Sequence, residues 1–249
     1  MENALYRYKI TLEYLGSGYC GWQRQKDGVS LQQIVEDAIY AFSKERVSVS
    51  VAGRTDAGVN AYGQVAHFDL YRKFEPKRLM HSINHFCIGH TIGVVAAQLV
   101  DSKFNARFSA KSRHYVYKIL NRKQVNIVSK GLVCLVKDNL DIAAMQRASE
   151  YLLGRHDFSS FRASECQAKS PMKTVDKIEI IKHGELIEIH VSALSFLHHM
   201  VRNIVGSLVM VGKGRWSEQK IKEALEAKDR RAAGPTAPAE GLYFLRVDY

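Results

Sequence analysis

Residues 52–69, with the sequence AGRTDAGVNAYGQVAHFD, place a glycine-bracketed turn directly before a regular strand. Gly53 and Gly58 bracket the turn, and glycine lets a backbone bend tightly and lets another group approach closely. Beyond it, over residues 63–70, side chains alternate between two faces with the two-residue period of a strand. The chain must therefore form a sheet that carries this turn at one end of a strand.

The turn displays Arg54, Thr55 and Asp56. An arginine two residues before an aspartate can hold and orient the carboxylate, as a catalytic site requires. The same pattern is typical of an Asx-turn, in which Asp56 bonds to nearby backbone and Arg54 is its surface partner. Both interpretations stay open on these residues alone.

The remaining periodicity predicts strands and helices in both halves of the chain. Strands are predicted at residues 6–15, 46–52, 63–70, 92–100, 113–120, 175–181, 186–191 and 242–247. Helices are predicted after Ser30, over 77–86, after Asp141, over 196–211 and after Ser217. Because many neighbouring strands are candidates for antiparallel pairing, the pattern favours an α+β fold over a doubly wound parallel sheet.

Positive charge is concentrated in one stretch. Lys and Arg number 36 against 25 Asp and Glu, which gives a net charge of +11. Residues 102–137 contain no acidic residue and nine basic ones, so the rest of the chain carries only +2. This surplus predicts a polyanionic partner, and nucleic acid is the commonest one. The change in composition also suggests two halves, residues 1–105 and 106–249.

Other composition features indicate a soluble cytoplasmic protein. The four cysteines, Cys20, Cys87, Cys134 and Cys166, form no CxxC pair, so reduced thiols are expected rather than disulfides or structural zinc. The opening MENALYRYKI lacks the basic-then-apolar pattern of a leader, and no apolar run has the length of a membrane span. We expect no association with a membrane.

Neither a nucleotide cofactor nor a metal ion is expected. The glycines at 16, 18 and 21 lack the Gly-Lys-Ser/Thr ending of a phosphate-binding loop. His198 and His199 invite a metal interpretation, but adjacent residues on a helix point about 100° apart and cannot hold one ion together. On the same predicted helix, His199, Arg202 and Gly206 share one face. Arg202 lies beside so much apolar surface that it needs an acidic partner, which is either Asp56 or another nearby carboxylate.

Tyr115 follows the basic residues of the segment FSAKSRHYVY. A tyrosine on the inward face of a strand usually belongs to the core. Basic residues interleaved with aromatic ones are also what a nucleic-acid groove needs, because charge follows the phosphates and rings stack on bases.

Five blocks together resemble the tRNA pseudouridine synthase A family: GRTDAGVNAYGQVAHF, FNARFSAKSRHYVYKI, DFSSFRASECQAKSP, FLHHMVRNIVGSLVMVG and TAPAEGLYFLRVDY. The early YLGSGYCGWQRQ resembles the opening segment of that family. The blocks occur in the family's order and span nearly the whole chain. The resemblance implies two similar α+β halves joined into one extended sheet flanked by helices, with a basic cleft between the halves. It also implies a cofactor-free homodimer that isomerises uridines at positions 38–40, on the 3′ side of the tRNA anticodon stem-loop.

The resemblance assigns roles to individual residues. It makes Asp56 the catalytic residue, with Arg54 holding the flipped-out nucleotide. It makes Tyr115 the residue that packs on the target uracil or takes the proton from C5, and it makes Arg202 the partner of the catalytic carboxylate. The basic residues expected to contact RNA are Arg107, Lys111, Arg113 and Arg162. Whether Asp56 attacks as a nucleophile or acts as a base at the sugar stays open.

The chain departs from the family at Asn60 and Asn105, where the family usually has histidine. Asparagine keeps a hydrogen bond but loses the titrating ring, so RNA contacts or pH dependence are expected to differ. Two other hypotheses remain: a non-catalytic RNA-binding protein or chaperone, and a metal-dependent nuclease. The nuclease is disfavoured because Asp56 is the only carboxylate in the central turn.

Overall fold

The computed structural model describes residues 5–249, which form two compact units. The first unit comprises the chain up to Lys111 together with Phe244–Tyr249, and the second comprises Ser112–Tyr243. The first four residues, which open the segment MENALYRYKI, lie outside the described residues. Within 5–249, no helix is both long and apolar enough to cross a membrane.

The first unit is an antiparallel sheet with two helices. Its elements are β1 (Tyr6–Tyr14), α1 (Leu31–Ser43), β2 (Ser50–Val51), β3 (Asn60–Leu70), α2 (Pro76–Phe86) and β4 (Ile92–Val100). Strand β1 pairs with both β3 and β4, and Ile10 lies opposite Ala66 and Ala97. The Ser30 hydroxyl accepts the Gln33 N–H at 3.2 Å and begins α1, and the Glu75 carboxylate begins α2 in the same way.

The second unit is a four-stranded antiparallel sheet with three helices and one short parallel strand. Its elements are β5 (Ser112–Asn121), β6 (Cys134–Val136), α3 (Ile142–Glu150), β7 (Gly154–Asp157), β8 (Met172–His183), β9 (Leu186–Ala193), α4 (Met200–Gly212) and α5 (Gln219–Ala227). The antiparallel order is β5, β9, β8, β7, and β6 pairs parallel with β5. Short 3₁₀ turns lie at Ser159–Phe161, Arg230–Ala232 and Ala239–Gly241. A last strand, β10 (Leu242–Asp248), starts in this unit and ends in the first.

The α+β class and the antiparallel pairing are confirmed in each unit. The cleft expected between the halves stays a prediction. The strand expected over 46–52 is only two residues long, because the helix α1 binds its earlier backbone instead. The Glu36 carboxylate accepts the Val49 N–H at 3.0 Å, and the Gln32 amide donates to the Val49 carbonyl at 3.4 Å.

The division into units differs from the expected boundary at residue 105. Residues 106–111 remain with the first unit because their backbone is bonded to it. The Ala106 N–H donates to His67 Nδ1 at 3.1 Å, the Tyr249 hydroxyl donates to the Ala106 carbonyl at 2.8 Å, and the Lys111 N–H donates to the Asp248 carbonyl at 2.8 Å. The chain's last residues thus return to the first unit, which composition does not reveal.

The buried His67 should make the first unit sensitive to mild acid. Burial and the nearby Arg7 lower the pKa of His67. Because the unfolded chain then binds a proton more readily than the folded one, stability should fall as pH drops below about 6.5. We expect urea unfolding between pH 7.5 and 5 to show a stability advantage of the wild type over His67→Gln that shrinks with falling pH. An advantage independent of pH would contradict this assignment.

Candidate active site

The turn between β2 and β3 carries Arg54 and Asp56 on a rigid backbone. Arg54 is exposed, Thr55 is buried and Asp56 is half-buried. A tight turn spans residues 56–59. The Val59 N–H donates to the Asp56 carbonyl at 3.2 Å, and Gly58 adopts a φ of 78°. The Asp56 carboxylate therefore lies on a fixed turn and keeps access to solvent.

Buried polar side chains fix this turn from behind. The Tyr14 hydroxyl and Thr55 Oγ1 are 2.8 Å apart. Gln64 Nε2 donates to the Gly53 carbonyl at 2.7 Å and to the Tyr14 hydroxyl at 3.4 Å. Complete burial raises the pKa of Tyr14 to about 12, so its hydroxyl stays protonated and available as a donor. The residues on both sides of Arg54 are thereby hydrogen-bonded to β1 and β3.

The glycine-rich loop after β1 packs against the same turn. A Cβ on Gly16 would lie 2.2 Å from the Val59 carbonyl oxygen, and one on Gly21 would lie 2.8 Å from that of Thr55. The Trp22 N–H donates to the Thr55 carbonyl at 3.0 Å. The sequence indicated that this loop is not a phosphate-binding loop, and its support of the turn was missed. The closely spaced glycines do indicate that another group packs against this loop. They do not identify which part of the chain that group belongs to.

The two asparagines that replace the family's histidines have local structural roles. Asn60 is fully buried, and its side-chain oxygen accepts the Gly16 N–H at 2.8 Å, which joins the glycine-rich loop to β3. Asn105 accepts the backbone N–H groups of Arg107 and Phe108 at 3.0 and 3.1 Å. Because the Asn60 side chain faces other protein atoms, the structure of this residue does not support the expectation of altered RNA contacts.

Tyr115 and Arg202 lie in the second unit. Tyr115 is on β5 opposite Val191, is 8% exposed, and meets the Phe196 ring edge-on at a centroid distance of 5.0 Å. Arg202 is half-buried in the first turn of α4. Its Nε donates to the Ala237 carbonyl at 2.7 Å, and the Ala237 N–H donates to the Arg202 carbonyl at 3.1 Å. Both side chains are held in place.

The segment that binds Arg202 is itself fastened to α4 by a buried network around Asn203. The Asn203 side-chain oxygen accepts from Thr236 Oγ1 at 2.7 Å and from the Arg230 guanidinium at 3.1 Å, and its amide donates to the Phe161 carbonyl at 2.8 Å. Further along α4, Gly206 packs directly against the backbone of Pro235. No local sequence pattern indicates this network, because its hydrogen bonds join residues up to 42 positions apart along the chain.

The helix predicted over 196–211 begins four residues later, at Met200, because His199 adopts a left-handed φ of 61°. His199 therefore does not share a helix face with Arg202 and Gly206. His198 and His199 both precede the helix and their ring centroids are only 4.1 Å apart, so the prediction that helix geometry separates them is also wrong.

The basic residues expected to contact RNA differ in exposure. Arg107 and Lys111 are exposed, and Arg162 is half-buried. Arg113 is only 7% exposed, and its guanidinium donates to the Leu194 carbonyl. Arg113 therefore stabilises the end of β9 and is a poor candidate for a phosphate contact.

Comparison with known proteins gives one family model, two relatives matched over nearly their whole length, and one solved structure. A family model described as tRNA pseudouridine synthase matches residues 148–249. The tRNA pseudouridine synthase A of Ehrlichia canis (strain Jake) is 53% identical over 244 residues, and that of Ehrlichia chaffeensis (strain ATCC CRL-10679 / Arkansas) is 52% identical over 244 residues. Each match covers 98% of this chain and 100% of the relative. A solved structure of a Cbf5-Nop10-Gar1 complex aligns with a TM-score of 0.35 and 12% identity, over 91% of this chain and 60% of that chain.

Proposed function

The chain belongs to the tRNA pseudouridine synthase A family and is an isomerase that acts on tRNA, and we propose that it modifies uridines on the 3′ side of the anticodon stem-loop with Asp56 as its catalytic group. The observation that carries the proposal is the half-buried carboxylate of Asp56 on a turn fixed by Tyr14, Gln64 and the glycine-rich loop. A fixed group can meet the substrate without a cost for reordering.

The reaction needs a carboxylate and a closed pocket. The C1′–N1 bond of uridine breaks, the uracil turns, and C1′ bonds to C5. N1 gains a proton and C5 loses one, so the atoms balance without an oxidant or a second substrate. Asp56 either attacks the sugar as a nucleophile or removes a proton from it. The target uridine must first leave its stack, at a cost of a few kcal/mol.

The other assigned residues would act around Asp56. Arg202 would pair with the carboxylate, and its bond to Ala237 supports this role by limiting its conformations. Arg54 is exposed and would contact the displaced nucleotide. Tyr115, held by Phe196, would form a wall against which the uracil packs. Arg107, Lys111 and Arg162 would contact phosphates, and we propose a cytoplasmic homodimer on the family resemblance.

Release of the C5 proton provides the test. An unmodified tRNA transcript containing [5-³H]uridine is incubated with the protein in buffer without nucleotide or added metal. We expect tritium to enter the solvent in proportion to the uridines converted. Salt-sensitive binding of tRNA without tritium release would overturn the proposal in favour of a non-catalytic RNA-binding protein.

The buried hydroxyl of Tyr14 should affect catalysis and not only stability. Tyr14→Phe removes the hydroxyl that contacts Gln64 and Thr55, a residue of the catalytic turn. The loss of these buried contacts should lower the turnover rate about tenfold. Tyr8→Phe is the matched control, because Tyr8 is a buried tyrosine of the same strand whose hydroxyl contacts Phe74. Equal turnover in the two variants, measured at saturating tRNA, would show that Tyr14 has only a structural role.

A further inference from the structure

Phe108 is the most exposed Phe, Tyr or Trp side chain within residues 5–249, at 78%. It follows Arg107, which is also exposed and whose guanidinium lies 5.3 Å from the centre of the Phe108 ring. A single exposed apolar side chain needs no explanation by itself. The surrounding backbone is what makes this pair informative.

The turn that presents Arg107 and Phe108 is closed by hydrogen bonds at both ends. The Asn105 side chain accepts both of their backbone N–H groups. The Ser109 N–H donates to the Asn105 carbonyl at 2.9 Å, and the Asn105 N–H donates to Ser109 Oγ at 3.0 Å. Four bonds therefore fix five consecutive residues.

Buried and half-buried groups anchor this turn to the first unit. Ala106 is fully buried, and its N–H and carbonyl are bonded to His67 and Tyr249. The Arg7 guanidinium donates to the Phe104 carbonyl at 2.9 Å and forms a two-pronged pair with the Asp69 carboxylate at 2.7 and 2.8 Å. The fold thus holds in place the backbone that carries an exposed aromatic ring and an exposed guanidinium.

An exposed ring on an ordered turn, with a cation beside it, matches the chemistry of a nucleotide. The face of a ring stacks on a base, and a guanidinium binds the neighbouring phosphate. An acidic peptide would satisfy Arg107 but leave the ring in water. The positive charge of residues 102–137 also favours RNA as the ligand.

We propose that Phe108 stacks on an unpaired nucleobase of the tRNA, with Arg107 on the adjacent phosphate, as a binding contact separate from the residues assigned to catalysis. The inference rests on the proposed function only in taking tRNA as the ligand. Because the turn is ordered before binding, little conformational entropy is lost when the base docks.

Substitutions of Phe108 separate stacking from charge. Phe108→Leu should weaken tRNA binding about tenfold and leave the dependence of affinity on salt unchanged. Arg107→Gln should reduce the slope of log affinity against log salt by about one. Phe86→Leu is the control, because Phe86 is a 44% exposed phenylalanine of the same unit, and it should bind tRNA like the wild type.

Phe108→Trp gives a direct signal of stacking. Its affinity should stay within about twofold of the wild type, and its added fluorescence should be quenched by tRNA. Weaker binding by Phe108→Leu without quenching in Phe108→Trp would overturn the stacking proposal. Unchanged tRNA binding by Phe108→Leu, with a wild type that releases tritium, would also overturn the stacking proposal. Weaker binding and quenching in the absence of tritium release would leave the contact intact and overturn the proposed function alone.

Discussion

Asp56→Asn should lose essentially all tritium release, by about 10⁴-fold or more, while its affinity for tRNA stays within about twofold of the wild type. Asparagine has nearly the same size as aspartate, so the turn and the surface that meets RNA should survive. The amide cannot attack the sugar or accept its proton. The backbone bonds that close the turn, from Val59 to Asp56 and from Trp22 to Thr55, do not involve the carboxylate.

Asp37→Asn is the control for the loss of one negative charge. Asp37 is on α1 of the same unit, with a side chain that is 62% exposed. Its variant should turn over tRNA at the wild-type rate. Substantial turnover by Asp56→Asn would remove Asp56 from catalysis, and equal losses in both variants would point to a general effect of charge.

Gly206→Ala should destabilise the second unit by more than about 3 kcal/mol. Replacing glycine by alanine inside an exposed helix normally stabilises it by about 1 kcal/mol. Here the new Cβ would lie 1.7 Å from the Pro235 carbonyl oxygen, within a fully packed part of α4. The helix or the 234–237 segment must move, and that segment holds Arg202 through Ala237. Turnover should therefore fall together with stability.

Gly93→Ala adds the same methyl group where there is room. On β4 the new Cβ would meet only the Asn84 side-chain oxygen, at 3.7 Å. We expect thermal unfolding of Gly93→Ala close to that of the wild type. If Gly206→Ala unfolds at the wild-type temperature, the close approach of α4 and Pro235 is not a feature of the folded protein.

Local patterns in the sequence predicted local structure well. The alternation of β1 and β4 and the Ser30 cap of α1 located those elements to within a residue, because periodicity and capping act over a few positions. The start of α4 was missed because one left-handed residue, His199, overrides an apolar pattern that continues through it. The support of the turn by Gly16, and the binding of Asn203 to the segment that holds Arg202, depend on contacts between distant parts of the chain that no local pattern shows.

The site itself was predictable only in part. The GRTDAG turn and its exposed Arg54 follow from the sequence, since two glycines bracket a polar triplet. Two arginines of the same basic segment differ in burial. The Arg113 guanidinium is buried and donates to a backbone carbonyl, whereas Arg107 is exposed on a hydrogen-bonded turn. Charge alone does not distinguish these cases, because the cost of burying an arginine depends on the acceptors that surround it.

Base-resolved mapping of pseudouridine tests the central claim most directly. One unmodified tRNA transcript is incubated with the wild type and, separately, with Asp56→Asn, at concentrations that saturate binding of both. We predict pseudouridine on the 3′ side of the anticodon stem-loop with the wild type and none with the variant. Pseudouridine at the same positions with Asp56→Asn, or at no position with the wild type, would contradict the account.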